Sequence, residues 1–180
     1  MRLVALAGLP GTGKSALAKE LAAALGAPVF DKDVQRRELF GALAAYSPEQ
    51  NDAAVRKCHE AARAAFAGGK SDVILDGRTY SRREQVEALR RFAREHCAAL
   101  VLVEVRCEEN VAKRRIEVDR ERGTHLAPDR SSELYERLAR SAEPIGASLV
   151  LDSTALGPEE LARSVVEHLR GSMGAGERDC

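Results

Sequence analysis

Residues 8–15 read Gly-Leu-Pro-Gly-Thr-Gly-Lys-Ser, between an apolar run at residues 2–7 and an alanine-rich run with helical spacing. A glycine-rich turn that links a buried strand directly to a helix restricts the chain to folds in which a sheet edge delivers a strand end to a helix N-terminus. Glycines let successive backbone N–H groups curl round a chain of phosphates, and the helix contributes its positive end. Lys14 is spaced to reach the outer phosphates and the Ser15 hydroxyl to take a place on Mg²⁺. Gly8, Pro10, Gly11, Thr12, Gly13, Lys14, Ser15 and Ala16 are therefore expected to hold a nucleoside triphosphate.

The rest of the chain continues the alternation that this turn begins. Short apolar runs at residues 27–30, 73–76, 100–105 and 149–152 read as buried strands. Between them, residues 13–25, 34–43, 53–67, 82–96, 108–121, 132–140 and 158–169 carry apolar side chains at helical spacing or end at glycine. Tyr46 to Asp52, with Pro48 inside it, reads as a loop. Five strands alternating with helices predict an α/β fold: a five-stranded parallel sheet in a three-layer α/β/α arrangement. A chain of 180 residues fits one domain, placed at residues 1–171, with a small polar tail at 172–180.

Lys plus Arg and Asp plus Glu each total 28, so no global positive field draws the chain onto nucleic acid or an anionic membrane. Nucleic acid stays possible as a partner and is not favoured. Apolar runs are too short to cross a bilayer, and the N-terminal run is too short for a signal peptide. Cys58, Cys97, Cys107 and Cys180 lack C-x-x-C spacing, which suits reduced thiols in a cytoplasmic protein.

In open parallel sheets, ligands collect beyond the carboxyl ends of the strands. That rule brings Asp31, Asp33, Asp76, Arg78 and Tyr80 to the same rim as the P-loop. Asp33 is placed to take the proton of an acceptor hydroxyl, or else to cap the helix expected from residue 34. Asp31 and Asp76 are candidates for Mg²⁺ together with Ser15; the alternatives are an exposed strand-end aspartate for Asp31 and a turn residue before Gly77 for Asp76. Arg36 follows Asp33 by three residues, which suits an acceptor carrying an anion or an ordinary ion pair. Arg78 and Tyr80 are further candidates for acceptor contacts. The basic segment from Lys113 to Arg130, interrupted by Gly123 and Pro128, has the composition of a lid, with Arg115, Arg120 and Arg122 as its phosphate-facing candidates. His125 lies in the same segment.

On these motifs the chain resembles the P-loop kinase superfamily, in the group of polynucleotide 5′-hydroxyl kinases and chloramphenicol phosphotransferase-like small kinases. Asp31-Lys32-Asp33-Val34-Gln35-Arg36 is similar to that group's second-strand motif, and Ile74-Leu75-Asp76-Gly77 to its third strand. Arg122-Gly123-Thr124, with Pro128 beyond, is similar to the lid of polynucleotide kinases. The resemblance implies a nucleoside-monophosphate-kinase-like fold with a helical lid at about residues 113–131. It also implies Asp33 as general base, Arg36 near the acceptor, and Lys14 and Arg122 acting on the transferred group. Asp31-Lys32-Asp33 is similar, too, to the Asp-x-Asp of shikimate kinases, although Asp76-Gly77-Arg78 stands where those enzymes have a glycine triplet. The expected activity is transfer of the γ-phosphoryl group of ATP, with Mg²⁺, to a hydroxyl of a small molecule. A polynucleotide 5′-hydroxyl kinase and a nucleotide-dependent switch acting through a protein partner are the alternatives.

Overall fold

Strand β1 (Arg2–Ala7) alternates its side chains between two cores, and that alternation organises the molecule. Leu3, Ala5 and Ala7 face one core, and Val4 and Leu6 the other. All five are fully buried, as a central parallel strand covered on both faces requires. The computed structural model describes residues 1–44, 47–123 and 131–172. After β1 come α1 (Lys14–Leu25), β2 (Val29–Asp31), α2 (Lys32–Phe40) with a 3-10 turn at Gly41–Leu43, and α3 (Pro48–Ala67). The chain continues through β3 (Asp72–Asp76), α4 (Arg83–Glu95), β4 (Ala99–Arg106), α5 (Glu109–Arg122), α6 (Ser132–Ser141), β5 (Leu149–Asp152) and α7 (Pro158–Ser172).

All four strand pairings are parallel, in the order β2-β3-β1-β4-β5. The expected three-layer α/β/α arrangement is therefore present. Helices α1 and α7 cover one face through Leu17, Leu21, Leu161, Val165 and Leu169. Helices α3 and α4 cover the other through Cys58, Ala62, Phe66, Val86, Leu89 and Phe92. Each large side chain so buried contributes roughly 1.5–3 kcal/mol relative to its exposed state. Because β1 is central, the turn after it opens in the middle of the carboxyl-end rim, with the ends of β3 and β4 on either side.

Several boundaries differ from the sequence expectation, three of them at helix ends that bear on the site or the core. Helix α2 starts at Lys32 rather than residue 34, because Asp31 caps it by accepting the Asp33 N–H at 2.6 Å. Helix α3 starts at Pro48 rather than residue 53. Ser47 is its cap, accepting from the Gln50 N–H, and proline at the first helical position costs no hydrogen bond. Helix α7 runs on to Ser172, beyond its expected end at residue 169. Expectations for Tyr46, Thr124, His125, Pro128, Arg130 and residues 173–180 lie outside the described residues. Among the described residues, no helix is long and apolar enough to cross a membrane.

Candidate active site

Two glycines of the P-loop are demanded by what packs on them. Gly8 has φ 139° and Gly11 φ 79°, and a Cβ at these positions would lie 2.3 Å from the Val105 carbonyl oxygen and 2.4 Å from that of Ala112. Only glycine lets the turn lie this close to the backbones of β4 and α5. Lys14 is buried at the start of α1, and its Nζ donates to the carbonyls of Gly8 and Leu9 at 2.8 Å each. Thr12 Oγ1 also donates to Leu9 O. Ser15 and Ala16 stand exposed at the mouth of the turn.

A residue from the far end of the chain braces this turn. Ser153, just after β5, is buried and donates its hydroxyl to Thr12 O at 2.8 Å. Arg115 of α5 donates to Ser153 Oγ at 3.0 Å, to Ser153 O at 2.8 Å and to Gly11 O at 3.4 Å. A hollow of about 350 Å³ lies alongside, lined by Gly13, Ser15, Ala16, Arg115, Leu156 and Pro158 among others. Sequence reasoning placed Arg115 here but missed Ser153, Leu156 and Pro158. Extending the strand-end rule to β5 would have found the serine.

On the other side of Lys14 a cleft of about 480 Å³ opens, with Lys14, Lys32, Asp33, Gly77 and Arg78 among its lining residues. Asp33 Oδ1 accepts from Arg36 Nη1 at 2.7 Å and lies 3.4 Å from Lys32 Nζ. Burial alone would raise the Asp33 carboxyl, but Lys32 and Arg36 outweigh it and hold it below the ordinary carboxylate range. Lys32 is shifted down by burial, against the pull of Asp33. Asn51, one turn into α3, accepts from both Arg36 Nη2 and Lys32 Nζ, which ties α3 to the base of the cleft.

Arg36 is 1% exposed, the largest fully buried side chain, and it does not line the cleft. The structure thus corrects its expected place at the acceptor: it supports Asp33 from beneath. Tyr80 is also not brought to this cleft. Its backbone turns to φ 51°, its ring joins the core, and it lines a separate apolar cavity of about 240 Å³. Arg78 does line the cleft, with its guanidinium 6.0 Å from the Tyr80 ring centroid. Arg120 and Arg122 lie exposed in the last turn of α5 and reach neither cavity.

Asp31 and Asp76 are direct partners across the β2–β3 ladder. Asp76 is 4% exposed, and its Oδ1 meets no hydrogen-bond donor among the described residues. Burial first, and the neighbouring Asp76 charge second, raise Asp31 to about 6. Gly77 has φ 85°, and a Cβ there would stand 2.6 Å from Asp31 Oδ1, so glycine keeps the approach to this pair open. Two adjacent carboxylates, one with an unpartnered buried oxygen, suit a hard dication with oxygen ligands. Among the described residues no group of three or more His, Cys, Asp or Glu is arranged to hold a metal ion.

With this geometry in place, the family comparison decides the lineage: residues 3–127 match the family described as AAA domain. The chain belongs to the AAA domain family. Among solved structures, this AAA domain protein superposes on a Chloroflexus aurantiacus protein with a provisional kinase assignment. The two are 21% identical, with TM-score 0.74 over 93% of this chain and 97% of the other. It is similar to the APS kinase of Mycobacterium tuberculosis in complex with AMPPNP and APS, at 20% identity and TM-score 0.69, covering 94% and 97% of the two chains. It is similar as well to the shikimate kinase of Acinetobacter baumannii in complex with shikimate, at 16% identity and TM-score 0.64, covering 96% and 94%. No curated protein matches the sequence. At these identities the likeness establishes the fold, which is that of P-loop small kinases, as the strand-end motifs implied.

Proposed function

We propose that this protein is an ATP-dependent kinase that phosphorylates a hydroxyl group of a small molecule. The observation that carries the reading is that Lys14 and Asp33 line one cleft: a phosphate-binding cation and an ionised carboxylate share the same space. The P-loop and Lys14 hold the triphosphate, and the hollow beside Arg115, Leu156 and Pro158 takes the nucleoside. Mg²⁺ would be held by Ser15, Asp31 and Asp76, and when bound it supplies charge that balances the phosphate oxygens.

Asp33 orients the acceptor hydroxyl and takes its proton. The hydroxyl oxygen bonds to the γ-phosphorus while the bond to the β–γ bridging oxygen breaks, and ADP leaves. Lys32 and Arg36 keep Asp33 ionised, and Arg36 fixes it in place, since a carboxylate bonded to a buried guanidinium has little freedom to turn. Arg122 and Arg120 belong to the lid assignment at about residues 113–131, in which closure brings arginines to the transferred group. The domain assignment at residues 1–171 follows from the same reading.

The test is transfer from γ-labelled ATP to a panel of hydroxylated small molecules, read as acceptor mass gain of one phosphoryl group. Acceptor-stimulated ADP formation abolished by Asp33→Asn supports the reading. ATP turnover that no acceptor stimulates, coupled to a stable protein partner, would replace it with a nucleotide-dependent switch.

A further inference from the structure

The lining of the acceptor cleft carries positive charge that neither an ion pair nor the phosphoryl-transfer machinery uses. Arg78 and Arg82 lie on the connection from β3 to α4 and Arg137 lies on α6, so two separate parts of the chain bring arginines to one cleft. Among the described residues none of the three pairs with a carboxylate. Asp52 and Glu84 also line the cleft, but the Asp33 charge is already met by Arg36 and Lys32, so the lining keeps an excess of cations. Arg36, the residue whose spacing suggested an anion site, is enclosed with Asp33 and Asn51 and leaves that task to others.

A second observation comes from Gln85, one turn into α4. Gln85 lines the same cleft, and its Oε1 is buried with no hydrogen-bond donor among the described residues. A buried acceptor atom left without a donor is costly, and a turn of the Gln85 side chain that brings this oxygen to a ligand hydroxyl in the cleft removes that cost. Arginines, a hydrogen-bond acceptor and a carboxylate in the lining of one cleft offer three kinds of contact to one small molecule.

Building on the kinase reading, we propose that the acceptor is a small hydroxylated organic anion. Its carboxylate or phosphate ester is held by Arg78, Arg82 and Arg137, one hydroxyl donates to Gln85 Oε1, and another faces Asp33. This lining excludes uncharged alcohols, because they would leave the arginines and Gln85 with only partial satisfaction.

The experiment compares matched pairs with the full chain, ATP and Mg²⁺: gluconate against glucitol, glycerate and glycerol 3-phosphate against glycerol, and ribose 5-phosphate against ribose. Binding of each compound is followed by titration calorimetry, and transfer by phosphate gain. The expected result is that at least one anion binds at least tenfold more tightly than its neutral twin. Arg137→Gln and Arg78→Gln each weaken that anion at least tenfold, whereas Arg56→Gln on the exposed face of α3 does not. The carboxylate and ester arms separate the two sources of charge. Equal binding of neutral twins, no binding by any anion, indifference to both arginine changes, or preference for a 5′-hydroxyl oligonucleotide overturns the proposal. Arginine-dependent binding without phosphoryl transfer leaves the anion site standing and removes the kinase reading instead.

Discussion

Arg36 donates to Asp33 at 2.7 Å, one helical turn apart on α2, in a pair that is almost wholly shielded from water. The pair turns a helix-surface spacing into a piece of machinery. Asp31 caps the helix, so Asp33 lies in its first turn facing the cleft, and Arg36 locks it from the protein side.

Asp33→Asn keeps the shape and removes the proton acceptor. General-base assistance contributes about 10²–10⁴-fold, so kcat should fall by that order while the KM for ATP changes little. Steady-state kinetics against both substrates decide it, and near-normal turnover would remove Asp33 from its assigned role.

Arg36→Met should cost more stability than an exposed arginine change. Breaking a buried pair by removing one partner costs up to about 3–5 kcal/mol, and here Lys32 alone is left to face the Asp33 charge. Without Arg36, only Lys32 opposes the upward push of burial on the Asp33 carboxyl, so the acid limb of the kcat profile should move to higher pH. Denaturant unfolding and a pH-rate profile together test this; an unchanged acid limb would mean that the guanidinium does not set the carboxylate.

Gly11→Ala should abolish nucleotide binding, because a Cβ would stand 2.4 Å from the Ala112 carbonyl at φ 79°. Gly26→Ala is the comparison. That residue also has positive φ, at 60°, but nothing lies within 4 Å, so the expected loss is only the left-handed backbone cost of roughly 1–2 kcal/mol. Fluorescent nucleotide titration and thermal unfolding of the two variants should separate crowding from backbone strain.

The readable parts of the molecule were those encoded locally. Residues 2–15 specify strand, turn and helix within one short stretch, and the buried strands announce themselves as apolar runs. Pro48 misled because a proline inside a polar stretch looks like a helix breaker, whereas after the Ser47 cap it is a helix start. Spacing located the Asp33–Arg36 pair but not its burial, which depends on α3 bringing Asn51 over it. Tyr80 turned into the core through a left-handed backbone that its own side chain gives no sign of adopting. Ser153, Arg137 and Gln85 reach the site from elements distant in sequence, so only the packing reveals them.

His59 should make stability depend on pH in a window set by its own shift. On α3 its ring stacks on Phe92 at 4.2 Å with an interplanar angle of 16°. Burial first, then the charges of Arg78 and His96, lower it from 6.5 to about 4. Between those two values the unfolded chain binds a proton that the folded chain refuses, so stability is complete above about 6.5 and declines as pH falls toward 4. Asp31 works in the opposite sense: raised to about 6, it favours the folded state at low pH, and that contribution is lost as pH rises through 6. The two partly cancel in the native protein, which is why the variant comparison is the informative one. His59→Phe keeps a ring against Phe92 and removes only the histidine proton. Melting temperatures recorded from pH 7.5 to 4.5 should then fall less steeply in the variant than in the parent, and identical slopes would show that His59 takes up its proton equally well in both states.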